Sequence, residues 1–164
     1  MTNKSPVYAL CLALIIIAPA VAGDVAPGKS GGGSVTLESD DRTINVLETS
    51  VDFGTFEFGD NTKDVPDFIN VTTNDGVNLQ ANEAGGDGKM SVTVGENTYT
   101  LSSPLKVGIG AYEPVAISGT VTDVSGTISA GTNTLAGKFV QTVVPADTVA
   151  DDYAITVTFT LVST

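Results

Sequence analysis

The chain has 164 residues with 19 acidic and 7 basic side chains, a net charge of −12, no His, no Trp and one Cys. The missing His excludes a Ser–His–Asp or Cys–His nucleophile system and a His-ligated zinc. The negative balance excludes the basic footprint that nucleic-acid binding needs and disfavours docking on anionic lipid.

Met1 to Ala22 reads as a secretory signal peptide. Lys4 charges its start, Val7 to Ile17 is an apolar run of eleven residues, and Ala20-Val21-Ala22 offers an Ala-x-Ala site, with cleavage between Ala22 and Gly23. The run is shorter than the roughly 20 residues that span a bilayer, so no membrane span is expected after cleavage. Removing 22 residues from 164 leaves 142, takes Cys11 and Lys4 away, and moves the net charge from −12 to −13. The expected location is therefore secreted: an extracellular filament or the cell surface, by way of the periplasm in a Gram-negative cell. Without Cys, a secreted domain is held by its core and its backbone ladders alone.

Residues 23–33 form a Gly-rich leader, and residues 34–164 are expected to form one β-sandwich domain. Ser34 to Ser39 alternates, with Val35 and Leu37 on one side and Thr36 and Glu38 on the other. It reads either as the first strand of its own sheet or as a donor strand, in which Val35, Thr36 and Leu37 add to a neighbouring subunit. Ile44 and Val46 alternate next, followed by Val51, Phe53 and Phe56. Ile69 and Val71 precede Asn74-Asp75-Gly76 and then Val77 and Leu79, which predicts a hairpin. A second hairpin is predicted at Gly95-Glu96-Asn97, between Met90–Val94 and Tyr99–Leu101. Leu105 to Val143 reads as short strands at turn-separated intervals. The last predicted strand runs from Tyr153 to Leu161, with Thr156, Thr158 and Thr160 on its second face. One helical turn is expected at most, over residues 146–152. Short strands punctuated by Gly, Asn and Asp imply an all-β fold of two packed antiparallel sheets.

Sites for chemistry are scarce. The carboxylates fall in turn-like strings, where Asp bonds its own backbone, and no spacing marks a paired-carboxylate hydrolase. Residues 59–64 and 83–87 read as loops rich in oxygen ligands without the EF-hand spacing. Asn70-Val71-Thr72 matches a glycosylation sequon, with Asn70 inside a strand. Lys106 and Lys138 occupy strand slots where an isopeptide cross-link would need a buried Lys. Tyr112, in the Gly110–Pro114 loop, is the one aromatic placed for glycan contact. No catalytic, cofactor or metal residue is assigned, and the chain is expected not to be an enzyme.

Several segments resemble the alternate chaperone–usher fimbrial subunits and the spore coat protein U domain. Ser34-Val35-Thr36 with Asp40, Ile44 and Leu47 is similar to their N-terminal strand, and Phe53-Gly54-Thr55-Phe56 to their FGT element. Val77 to Ala81, Gly85-Gly86 and Met90 resemble their middle. Val143-Val144-Pro145-Ala146 with Asp152-Tyr153 and Ile155 to Thr160 resembles their closing strand. The resemblance implies an immunoglobulin-like sandwich that builds a homopolymer by strand complementation, with a periplasmic chaperone and usher as partners. Coat protein U domains carry a disulfide, which this chain lacks after cleavage. The alternative function is a secreted adhesin or carbohydrate-binding module.

Overall fold

Apolar alternation becomes strand along most of the chain, and the order of pairing sets the architecture. The computed structural model describes residues 43–84, 86–147, 150 and 152–164. The expected signal peptide with its Ala22–Gly23 cleavage site, the leader, and Val35, Thr36 and Leu37 lie outside these residues. Among the described residues there are ten strands and no helix. They are β1 (Thr43–Val46), β2 (Gly59–Thr73), β3 (Val77–Asn82), β4 (Ser91–Val94), β5 (Asn97–Thr100), β6 (Lys106–Ile109), β7 (Val115–Ala116), β8 (Thr122–Asp123), β9 (Gly131–Val143) and β10 (Thr158–Ser163). All pairings are antiparallel, in a five-stranded sheet β1-β2-β9-β6-β7, a three-stranded sheet β10-β3-β8 and the hairpin β4-β5.

The hairpin at Gly95-Glu96 forms as the sequence predicts. Gly95 takes φ +63°, and the positive angle at the first of two turn residues lets the turn follow the strand twist. The Asn74-Asp75-Gly76 turn does something else. It carries the chain from β2 in the five-stranded sheet to β3 in the three-stranded sheet, so the expected hairpin is absent. Both flanks of β2 are already taken, by β1 and β9, and Val71, Thr73, Val77 and Leu79 are all buried. Reversal here joins two layers instead of two neighbours in one sheet. Thr73 Oγ1 secures the turn, donating to the Asp75 carbonyl at 2.9 Å and accepting the Asp75 N–H at 3.3 Å.

β2 and β9 form the spine of the larger sheet. Their register shifts between Val65 and Ile69, where three residues of β2 face one of β9. Pro66 cannot donate to a ladder, and Asp67 adopts φ +51°, so the strand bulges there. The bulge drives Phe68 into the core, edge-on to Phe139 at 5.1 Å and to Phe159 at 5.8 Å. Phe139 belongs to the larger sheet and Phe159 to the smaller, so Phe68 ties the two layers into one hydrophobic cluster.

The last strand is shorter than expected. Residues 153–157 make only a bridge, Ala154 to Ser91 of β4, before β10 begins at Thr158. Its threonine face is not open to solvent either. Thr158 and Thr160 are buried, with the longer Asn82 and Gln80 directly across on β3. Residues 145–147 turn, and no helical turn occurs among the described residues of the 146–152 stretch.

Candidate functional site

Among the described residues β1, β7, β8 and β10 are edge strands, and β1 is the one that the segment before residue 43 leads into. Its sequence, Thr-Ile-Asn-Val, sends Ile44 and Val46 into the core and leaves Asn45 exposed. It pairs with β2 as Thr43↔Thr72, Ile44↔Val71, Asn45↔Asn70 and Val46↔Ile69, and Leu47 extends the same register by donating to the Phe68 carbonyl at 2.9 Å. Backbone groups alternate sides along an antiparallel strand. With Leu47 donating toward β2, Asn45 and Thr43 do the same, and the N–H and C=O of Ile44 and Val46 face outward. Among the described residues no strand pairs with that side. Such an edge is a ready template for another extended segment.

The outer face of the same sheet is polar and bonded across its strands. Thr72 and Thr132 hydroxyls lie 3.1 Å apart, Thr134 donates to Asn70 Oδ1 at 2.7 Å, and Thr142 to Asp60 Oδ1 at 2.5 Å. Both polar side chains of the sequon, Asn70 and Thr72, are thus committed to neighbours in mid-sheet. Lys138 is exposed on this face opposite Asp64, and Lys106 shares it opposite Val140. Neither Lys sits in the desolvated slot that isopeptide chemistry needs.

The two oxygen-rich stretches are also spoken for. Residues 59–64 are strand, not loop. In the 83–88 loop, the Glu83 carboxylate accepts the Gly88 N–H at 2.8 Å. No group of three or more His, Cys, Asp or Glu could hold a metal among the described residues. Tyr153 is buried and Tyr99 half-buried; Tyr112 is 37% exposed on the loop between β6 and β7. No helix among the described residues is long and apolar enough to cross a membrane.

One carboxylate that sequence reasoning passed over is built into the fold. Asp147 accepts the Ser102 hydroxyl at 2.5 Å, the Ser102 N–H at 2.8 Å and the Val144 N–H at 2.8 Å. Pro145 and Ala146 mark a turn before it, which was the only local signal. Burial pushes its carboxyl up, but the three hydrogen bonds outweigh that and hold it below the usual range. Burial, then the charges of Asp147 and Tyr99, push the Tyr153 phenol up. A carboxylate with a depressed folded value stabilises the fold above its unfolded value, near 3.8, and the gain is lost as pH falls through the folded one. Asp147→Asn is therefore expected to cost about 2–4 kcal/mol at neutral pH and to flatten the acid limb of the stability profile. Urea titrations from pH 3 to pH 7 check both.

No family model, curated protein or solved structure matches the chain.

Proposed function

We propose that this chain is a non-enzymatic structural subunit of an extracellular filament or surface coat, assembled by pairing strands between copies. The observation that carries the reading is the β1 edge, which has no partner on its outer side among the described residues and which the alternating segment Ser34–Ser39 precedes in the sequence. Backbone pairing supplies the affinity in such an assembly, and alternate side chains supply the register. Two antiparallel sheets that share one core support the finer fold reading, an immunoglobulin-like sandwich. A net charge of −13 after processing keeps exposed surfaces apart, so specific strand pairing decides which faces meet. A chaperone and usher that hold the subunit before assembly belong to the same proposal.

Residues 23–164 are expected to form fibres in negative-stain micrographs at high concentration. Deleting residues 23–39 is expected to abolish the fibres while the circular dichroism spectrum and the urea midpoint of the remaining domain stay close to wild type. Equal fibre formation by the deleted chain would overturn the reading, as would no fibres from either.

A further inference from the structure

We infer that Asp75 is a site of spontaneous isomerisation to isoaspartate, and that the fold protects Asp87 from the same reaction. The chain holds two Asp-Gly pairs, Asp75-Gly76 and Asp87-Gly88. Both Asp side chains are exposed and both pairs lie outside the strands. By sequence the two are equivalent. The groups around each Gly nitrogen separate them.

The reaction starts when the Gly nitrogen gives its amide proton to solvent and attacks Cγ of the preceding Asp. An N–Cγ bond forms, and one carboxylate oxygen leaves as water with two protons from the medium. The product is a five-membered succinimide. Water then opens the ring. Breaking the N–Cγ bond restores aspartate. Breaking the bond from the Gly nitrogen to the former main-chain carbonyl carbon leaves the chain running through Cγ, with that carbon as the free carboxylate. Nothing is oxidised or reduced. Gly carries no Cβ to obstruct the attack.

At the first pair the neighbours favour the step. Thr73 Oγ1 donates to the Asp75 carbonyl at 2.9 Å. A deprotonated Gly76 nitrogen shares its charge with that oxygen, where a donor already stands, as in an oxyanion hole. Gly76 is held through its carbonyl, which accepts the Thr164 N–H at 3.2 Å and the Thr164 hydroxyl at 3.1 Å.

At the second pair the neighbours oppose it. Gly88 is buried, and its N–H donates to the Glu83 carboxylate at 2.8 Å. Removing that proton would set a second negative charge against Glu83. The Asp87 carboxylate is engaged beyond the nitrogen it would have to meet: Oδ1 accepts the Lys89 N–H at 3.3 Å and Oδ2 lies 3.1 Å from Lys89 Nζ.

Isoaspartate at 75 lengthens the main chain by one carbon in the turn that joins the two layers. The change adjoins Val77, the register partner of Ser163, so it falls on one end of the β3–β10 pair. The chemistry is independent of assembly.

The test is peptide mapping of the folded chain after weeks in warm neutral buffer, with electron-transfer fragmentation to tell isoaspartate from aspartate. Isoaspartate at 75 is expected to accumulate at least about tenfold faster than at 87, the factor expected for releasing an N–H from a charged acceptor. In urea the two sites are expected to react at comparable rates, because the fold no longer separates them. Glu83→Gln is expected to speed the reaction at 87 several-fold and leave 75 unchanged. Asp75→Glu is expected to remove the product at 75, since its ring would need six members. Equal rates in the folded chain, or a faster rate at 87, would overturn the inference. So would isoaspartate at 75 that forms in urea and not in the folded chain.

Discussion

Phe68→Ala is expected to destabilise the fold by about 3–5 kcal/mol, the range for deleting a buried aromatic ring. In a domain of this size that lowers Tm by about 10–20 °C. The ring is 2% exposed and meets Phe139 of the larger sheet and Phe159 of the smaller. Its removal opens a cavity between layers that are each pinned by their own ladders, so neither can move in to fill it. The bulge at Pro66-Asp67 exists in the folded chain to deliver this side chain, and Asp67 holds positive φ there without any glycine. Phe68→Leu keeps most of the volume and is expected to lose less than half as much. Urea unfolding followed by circular dichroism measures both, and a loss under about 1 kcal/mol for the Ala variant would show that the ring is not the bridge between the sheets.

Gly88→Ala is expected to cost about 2–5 kcal/mol, from a positive φ and a steric overlap together. Gly88 has φ +80°, and a Cβ there would run into the carbonyl of Ile117. That carbonyl belongs to a backbone held on its other side, because Ile117 N–H donates to the Leu105 carbonyl at 2.9 Å. Gly88 is itself tied down by Leu105 N–H to its carbonyl at 2.7 Å and by its own N–H to Glu83. Three segments, 83–88, 105 and 117–118, therefore meet at one point with no flexible side chain able to yield. Gly126→Ala is the control: open space surrounds that position, and its φ is not positive. Its expected effect is within about 0.5 kcal/mol of zero. Equal midpoints for the two variants in thermal unfolding would refute the packing argument.

Much of the β content was legible because alternation survives in the residues. The β4–β5 hairpin needed only Gly95-Glu96 between two alternating runs. β9 was harder to see, and the reason is local to its inward face. Leu135, Phe139 and Val143 are spaced by four, which suggests separate short strands. The intervening inward positions carry Gly137 and Gln141. Gly137 is bare where Phe68 and Phe139 crowd in. Gln141 is fully buried because its Nε2 donates to the Ser103 and Thr142 carbonyls, both at 3.0 Å. Each exception makes sense only beside its neighbour from a distant part of the chain. β2 was obscured in the same way, since Pro66 is a reason to end a strand unless a bulge is there to absorb it.

Composition and alternation by themselves determined that this is an acidic all-β chain, which residues face inward along most strands, and where one tight hairpin turns. What the tertiary structure alone decided is who pairs with whom. The Asn74-Asp75-Gly76 turn reads the same whether it returns a strand to its own sheet or sends it across the core. β1 and β9 occupy the flanks of β2 that a hairpin would have used, and among the described residues β1 and β7 are left as the edges of that sheet. Side-chain alternation has a period of two and states only a face. The choice of neighbour rests on contacts between residues sixty or more positions apart, such as Asn70 with Thr134 and Asp60 with Thr142, and no local pattern carries that information.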